Sequence, residues 1–379
     1  VKILLASDLQ LESGQSLGHG EYGPGSRFAD QEAMLGQIAD IAFAENVELT
    51  ILAGDTFDRS KPSPWAILAL QKFLERVEDA IIISGNHDVK SLALPSVLGC
   101  FEGERIEVFD KPSVKMARDN LRITLLPWMP AASFDAAGPT DRDERNDWIG
   151  QKLGAVAQEL GRHDFSGRHI LIGHWSIRGA STSTGIGVDV FREPLVPLEA
   201  LTSGYDLVAF GHIHKIQVLN ETPPVLYLGG PWVNNFGEAN EPHGVWIYDT
   251  DLPEMRFVPV TDPRRFLTYT VMPLQDPPFE RFLEDMTGAV VRVRYEVTET
   301  EARRVDQGAI RQAFDARGAD KVFIQPTVVK KSRARIGTST EALDDGQTVD
   351  LWLEHDDPPA DQRKRILTLH DVIRAGITP

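Results

Sequence analysis

Short apolar runs, each ending in a polar signature, recur along the first two thirds of the chain. Ile3-Leu4-Leu5-Ala6 leads into Ser7-Asp8-Leu9-Gln10, and Leu49-Thr50-Ile51-Leu52-Ala53 into Gly54-Asp55-Thr56-Phe57-Asp58. Ala80-Ile81-Ile82-Ile83 leads into Gly85-Asn86-His87-Asp88, Ile170-Leu171-Ile172 into Gly173-His174, and Leu207-Val208-Ala209-Phe210 into Gly211-His212-Ile213-His214. Their length and β-branched content predict buried strands. Helical stretches are expected between them at 31–46, 64–77 and 146–160, with Pro64 in a first turn where its missing N–H costs little. Residues 130–145 read as a connecting loop. The polar stretch 179–188 reads equally as a substrate-facing loop and as a plain surface loop.

Near Thr261-Asp262-Pro263-Arg264-Arg265 the pattern changes. Strands are expected at 266–271, 289–295 and 322–325 and helices at 279–286 and 305–317, a small α+β unit. An acidic linker is expected over 341–357, then a helix over about 360–375 with Ile366, Leu369, Val372 and Ile373 on one side. The domain boundaries on this reading are 1–262, 263–340 and 341–379.

The residue types at the strand ends are chemically coherent. Asp8, Asp55, Asn86, His174, His212 and His214 offer oxygen and imidazole donors without a thiolate, a set suited to Mn²⁺, Fe²⁺, Zn²⁺ or Mg²⁺. Open α/β sheets collect ligands beyond the carboxyl ends of their strands, so these distant residues can share one pocket. Asp55 is the natural bridge, because two cations about 3.5–4 Å apart need shared anionic charge. A lone histidine at a strand end is usually structural, but five signatures in order outweigh that reading. His163, His169, His243, His355 and His370 lie outside the signatures and are read as structural or surface residues.

The ordered series resembles the calcineurin-like metallophosphoesterase superfamily, whose pattern is Asp-x-His, Gly-Asp-x-x-Asp, Gly-Asn-His-Asp, a His and Gly-His-x-His. Within it the chain is most similar to the SbcD branch of DNA-repair nucleases, which includes the nuclease subunit of the MRN complex. Phe57-Asp58, Lys215 after the Gly-His-Ile-His run and Tyr227-Leu228-Gly229-Gly230-Pro231 add to the likeness. The resemblance implies a four-layer α/β sandwich of two β-sheets flanked by helices, followed by an α+β cap and a C-terminal helix. It implies a first metal held by Asp8, residue 10, Asp55 and His214, and a second held by Asp55, Asn86, His174 and His212, with Mn²⁺ the foremost choice. It makes His87 the group that stabilises the oxyanion or protonates the leaving alkoxide. Asp88 is expected to orient His87, and Asp58 stands where some relatives carry a second His. The family's partners are DNA and an SbcC-like ATPase bound by the C-terminal helix. Family members also dimerise through phosphoesterase-domain helices, for which 31–46 and 64–77 are candidate faces.

Gln10 departs from the pattern. Its neutral amide is a weaker donor than imidazole for a transition metal, so the first site should bind metal less tightly. Three readings stand open: a substitution made to slow the enzyme, a natural variant with a weakened site, and a natural variant rescued by His19 in the loop Gly14-Gln15-Ser16-Leu17-Gly18-His19-Gly20.

Composition narrows the setting. No apolar run approaches the roughly 20 residues that cross a bilayer, no secretory leader is recognisable, and the single Cys100 forms no intramolecular disulfide, which points to a reducing, cytoplasmic setting; the resemblance implies a prokaryotic or phage-infected cell. A net charge of −17 argues against simple backbone binding to nucleic acid. Two dications offset four of those charges, and basic residues do gather locally. Lys330, Lys331, Arg333 and Arg335 form one cluster, while Arg59, Lys61, Lys90, Arg178 and Lys215 lie near the signature loops. A DNA exo/endonuclease subunit is thus the leading expectation. A phosphodiesterase for small substrates and a catalytically silent DNA-end-binding subunit are the alternatives.

Overall fold

Period-two alternation in the buried strands explains the layering seen in a computed structural model, which describes residues 1–18, 26–89, 96–118, 120–162, 165–274, 285–329, 345–356 and 358–374. Strands β1 (Lys2–Ala6), β2 (Leu49–Ala53), β3 (Asp79–Ile83) and β4 (Ile106–Phe109) run parallel in the first sheet. β5 (Ser113–Arg118), β6 (Leu121–Leu126), β7 (Arg168–His174), β10 (Leu207–Gly211), β11 (Gln217–Glu221) and β12 (Pro224–Tyr227) form the second sheet, in the order β11-β12-β10-β7-β6-β5. Between β7 and β10 a short parallel pair intervenes, β8 (Ser176–Ile177) and β9 (Leu195–Val196). β13 (Gly244–Asp249) and β14 (Glu254–Pro259) complete the first sheet as β14-β13-β1-β2-β3-β4.

One face of each sheet looks at the other sheet. Ile3, Leu5, Ile51, Ala53, Ile81 and Ile83 of the first sheet share a core with Ile123, Leu125, Ile170, Ile172, Leu207 and Ala209 of the second. The alternate residues face helices. Leu4, Ala6, Leu52 and Ile82 pack on α1 (Arg27–Ala44) and α2 (Pro64–Leu74), while Leu171, Val208 and Phe210 pack on α3 (Arg142–Gly161). The result is helix, sheet, sheet, helix. Burying a side chain of this size contributes about 1.5–3 kcal/mol, and because both faces of these strands are apolar, each strand contributes to two layers of core at once.

Two helices start earlier than their apolar periodicity indicates. Ser26 caps α1 by accepting the N–H of Ala29, and the fully buried Arg27 in the first turn breaks the hydrophobic pattern that would mark the start. Asp141 caps α3 by accepting from Asp143 and Glu144, whose charges suit a helix N-terminus. Residues 130–145 therefore hold a connecting loop at 134–141, as expected, between a short 3₁₀ turn at Ala131–Ser133 and the first turn of α3. α2 begins at Pro64 behind the Ser63 cap, as expected.

By compactness the chain forms two units, 1–295 with 306–325, and 296–305 with 326–379. β15 (Phe266–Thr270), β16 (Val290–Thr298) and β17 (Lys321–Val329) make a three-stranded sheet, alongside the short α4 (Glu299–Ala302) and α5 (Gln307–Asp315). Within the first unit, Phe266 and Val290 pack with Leu17 and Val233, and Arg264 bridges Asp30 and Asp320. Most of the expected small α+β region is thereby continuous with the two-sheet core. In the second unit, α6 (Asp345–Asp356) occupies the stretch read as an acidic linker, because Leu353 has a partner to bury against. It packs on α7 (Ala360–Arg374), the expected final helix. Residues 279–284 of the expected helix at 279–286 lie outside the described residues.

Candidate metal centre

The carboxyl ends of β1, β2 and β3 meet those of β7 and β10, and the polar signatures converge there. The turn after each strand is sharp. Asp8 (φ 54°), Gln10 (φ 38°), Asp55 (φ 50°) and His212 (φ 88°) all adopt left-handed backbone, costly for residues with a Cβ and concentrated here at one site. The loops are stitched together: Asp8 N–H donates to the Gly54 carbonyl (3.0 Å) and Gln10 N–H to that of Asp55 (2.8 Å). Gly54 is itself left-handed (φ 91°), and a Cβ there would run into the His174 ring. A Cβ at Gly85 would collide with the Asp55 carboxylate. Only glycine permits these approaches.

Asp55 sits at the centre. One carboxylate oxygen accepts the backbone N–H of His87 (2.8 Å); the other lies 3.3 Å from His174 Nε2 and 3.8 Å from His87 Nε2. Asn86 Oδ1 is 3.2 Å from His174 Nε2 and 2.8 Å from His212 Nδ1. One ligand atom each from Asp55, His174 and His212 lies within 4.8 Å of the others. On the other side, His214 Nε2 is 3.7 Å from Asp8 Oδ1 and 3.0 Å from the Gln10 amide nitrogen. The Asp8 carboxylate also accepts the His212 N–H at 3.1 Å. The seven expected ligand positions thus form one cluster.

The electrostatics suit a cation. Asp8 and Asp55 are essentially inaccessible to water. Burial works to raise the Asp55 pKa, but His174 and His87 outweigh it and hold the carboxyl far below its usual range. Burial depresses the two imidazoles, yet Asp55 on His174, and Glu238 with Asp8 on His214, drive each up to about 9. Protonated imidazoles here compensate buried negative charge that a bound dication would neutralise instead. With oxygen and imidazole donors only, the residues present fit hard or borderline divalent metals.

His87 and Asp88 divide their work differently from expectation. Asp88 does not reach the His87 ring; its buried carboxylate accepts the backbone N–H groups of Gly85 (2.9 Å), Phe57 (3.0 Å) and Thr56 (3.3 Å), locking two ligand loops together. Burial, then repulsion from Asp55, pushes it up to about 7 despite those donors. The Asp58 backbone carbonyl, 2.7 Å from His87 Nδ1, orients the imidazole instead. With 37% of its side chain accessible, His87 is open to a substrate.

Two carboxylates escaped the sequence reading. Glu193 lies 3.1 Å from His212 Nε2 and accepts from Ser176 Oγ (2.6 Å). Glu238 lies 2.9 Å from His214 Nδ1. Both are isolated acids in loops, without a spacing signal; the nearest hint is that Glu238 follows the Tyr227–Pro231 run closely. His243 Nε2 is 3.0 Å from the Glu238 carbonyl, a structural role in keeping with its reading.

A cleft of about 270 Å³ opens on His212 and His214, lined also by Thr182, Ser183, Thr184, Ile213 and Asn235. The polar stretch 179–188 thus supplies one wall. It is a small hairpin, closed by Thr182 N–H to Ile186 O (2.8 Å) and pinned by Gln217, whose side chain bonds both backbone groups of Ser181. Phe236 neighbours the cleft-lining Asn235, and Arg292 stacks over its ring at 4.6 Å from the centroid. Arg59 is exposed but shared between Glu12 and Asp58, and Arg178 leans toward Asp147. Lys215 is partly buried beside His214. His19, Lys90, Lys330, Lys331, Arg333 and Arg335 lie outside the described residues.

Two facing sheets with a histidine–carboxylate cluster at their shared strand ends define a metal-dependent phosphoester hydrolase. The family model for calcineurin-like phosphoesterase matches residues 1–216, and the chain belongs to that family. Among curated proteins it is 25% identical over 220 residues to exonuclease subunit 1 of Enterobacteria phage T4, covering 54% of each chain. It is also 25% identical to the SbcD subunit of the SbcCD nuclease from Staphylococcus epidermidis (61% of this chain, 64% of that one) and from Escherichia coli K12 (64% and 66%). The aligned regions thus span between about half and two thirds of these relatives. Among solved structures, a dimetal phosphatase from Danio rerio aligns with 69% of this chain and 96% of its own at 14% identity and a TM-score of 0.43.

Proposed function

We propose that this chain is the nuclease subunit of an SbcCD-like complex, hydrolysing DNA phosphodiesters with two divalent cations, Mn²⁺ foremost. The observation that carries the reading is the convergence of Asp8, Asp55, Asn86, His174, His212 and His214 beside a solvent-open His87. Asp8, Gln10, Asp55 and His214 would hold the first cation, and Asp55, Asn86, His174 and His212 the second. When bound, the pair supplies Lewis-acid polarisation of the phosphodiester and lowers the pKa of the attacking water. The protein's own contribution is positioning. The Asp58 carbonyl accepts the Nδ1 proton of His87, which leaves Nε2 as the atom presented to substrate; in its protonated form it donates to an anionic or leaving oxygen.

Two features favour DNA over a small phosphodiester. The curated relatives carry nuclease names, and α7 leaves Leu369 and Ile373 exposed at 47% and 62%. The exposed apolar side chains on α7 suit an SbcC-like ATPase partner. A homodimer through α1 or α2 and a cytoplasmic setting in a bacterium or phage-infected cell belong to the same reading. No helix among the described residues is long and apolar enough to cross a membrane. The net charge of −17 favours the small-substrate alternative. Nuclease assays on linear double- and single-stranded DNA with Mn²⁺, run on this chain and on Gln10→His, decide between them. Cleavage by both, faster in the variant, is the expected result. Turnover of small phosphodiesters with DNA left intact would falsify the nuclease reading.

A further inference from the structure

Each histidine of the Gly-His-Ile-His run turns one ring nitrogen toward the metal cluster and the other onto a buried or half-buried carboxylate. His212 directs Nδ1 at Asn86 (2.8 Å) and Nε2 at Glu193 (3.1 Å). His214 reverses the pattern, with Nε2 toward Asp8 and Gln10 and Nδ1 on Glu238 (2.9 Å). A carboxylate only accepts, so the nitrogen facing it must carry a proton, and in the neutral ring that binds metal the opposite nitrogen keeps its lone pair.

We infer that Glu193 and Glu238 are paired positioning residues, Glu238 committing His214 Nε2 to the first metal and Glu193 committing His212 Nδ1 to the second. The inference rests on the two-cation reading of the site. The carboxylates are held in place independently. Glu193 is tied through Ser176 to β8, the strand that follows His174, and β8 pairs with β9 just beyond Glu193. Glu238 belongs to a closed polar ring. Its second oxygen accepts the Asn234 N–H (2.9 Å), the Asn234 side chain accepts from Ser13 Oγ, the Ser13 N–H donates to the Gln10 carbonyl (2.9 Å), and the Gln10 amide returns to His214 (3.0 Å). Gln10, Ser13, Asn234 and Glu238 are all at least nine-tenths buried. The ring fixes both the backbone that carries Gln10 and the imidazole that faces it. Gln10 then needs only an amide flip to direct its Oε1, in place of Nε2, at a cation on His214. Glu238 therefore stiffens the half-site whose own ligand is the weaker one.

The test measures Mn²⁺ binding, by calorimetry and by the electron paramagnetic resonance signal of bound Mn²⁺, in two single-site backgrounds. His174→Ala leaves the first site and His214→Ala the second. In the His174→Ala background, Glu238→Gln is expected to weaken Mn²⁺ binding by about 10–100-fold, the usual effect of losing such an outer partner, and Glu193→Gln to leave it unchanged. In the His214→Ala background the two variants exchange effects. Ser13→Ala, which cuts the ring without touching a histidine or a carboxylate, weakens the first site only and covers the case in which Glu238→Gln fails to fold. Equal effects of both glutamate variants on both sites, or no effect of either, overturn the inference while leaving the two-cation reading intact. A parent chain that binds no Mn²⁺ overturns the two-cation reading itself.

Discussion

The two halves of the proposed metal centre are built by different means. The Asp55, Asn86, His174 and His212 half is anchored by strand ends: His174 closes β7, in register with Gly211 of β10, and its Nδ1 is fixed 2.7 Å from the Ala53 carbonyl at the end of β2. The Asp8, Gln10 and His214 half is anchored by loops, with His214 two residues beyond its companion and held by Glu238 on a segment 24 residues away. Sheet hydrogen bonds determine the first geometry, side-chain bonds the second. A centre assembled this way can tolerate a neutral amide in the loop-held half, because the strand-held half keeps an anion, an amide oxygen and two imidazoles.

The largest effect should come from the group the halves share. Asp55→Asn removes charge from both, and hydrolysis is expected to fall by about a thousandfold or more, with Mn²⁺ stoichiometry dropping below two in a binding isotherm. Asp88→Ala strikes the strand-held half through its backbone. Three buried N–H groups lose their acceptor, and urea unfolding of the metal-free chain should register a loss of about 3 kcal/mol. Gln10→His strengthens the loop-held half; a rise of about tenfold in first-site affinity and a matching gain in rate are expected, since imidazole is the better donor. A rate that falls in this variant would show that the site is adapted to the amide.

A pH titration treats both halves alike. His174 and His214 titrate near 9 in the folded metal-free chain, above the ordinary 6.5. Their ion pairs therefore stabilise that chain fully below about pH 6.5, and the contribution disappears as pH rises through 9. Metal requires the neutral rings, so affinity at each site should climb by about tenfold per pH unit below 9 and level off above it. Mn²⁺ isotherms across pH 6–10 give the slope; a flat profile contradicts the protonated metal-free site. The smallest effect belongs to a residue outside both halves. Arg59→Ala, beside the Asp58 that orients His87, should weaken DNA binding a few-fold and lower the dependence of log Kd on log salt by about one, with Mn²⁺ affinity unchanged.

What was legible in the sequence in both halves is the set of ligand types at the strand ends, and what was not is the set of groups that orient them. The strand-held half is written in local patterns, since a β-branched run ending in Gly-Asp or Gly-His announces both the strand and the ligand at its tip. The four layers came from the family resemblance and not from periodicity, because Ile3–Ala6 and Leu207–Phe210 are apolar at every position and buried on both faces. Glu193, Glu238 and the true partner of His87 were not legible, because single acids and a backbone carbonyl leave no periodic trace and reach their places through loop paths. The early starts of α1 and α3 were hidden by charge: Arg27 and the run from Asp141 to Arg145 look like loop, and only the capping geometry shows otherwise. α6 was obscured by its acidity, which masks an otherwise packable Leu353.

The pairing of β1 with β13 has a consequence for how the molecule comes into being. Lys2 faces Asp249 and Leu5 faces Trp246, so the strand bearing Asp8 is flanked on one side by residues made nearly 250 positions later. While the chain is being synthesised, β1 can join β2 and β3 early, but it remains an edge until the last strands of the sheet emerge. Such distant pairing is slow to form. A ribosome-bound fragment ending before residue 244 would hold every proposed ligand yet lack the clamp on the strand that carries the first of them. Hydrolytic competence is thus expected to arrive late, close to the moment at which the sheet closes.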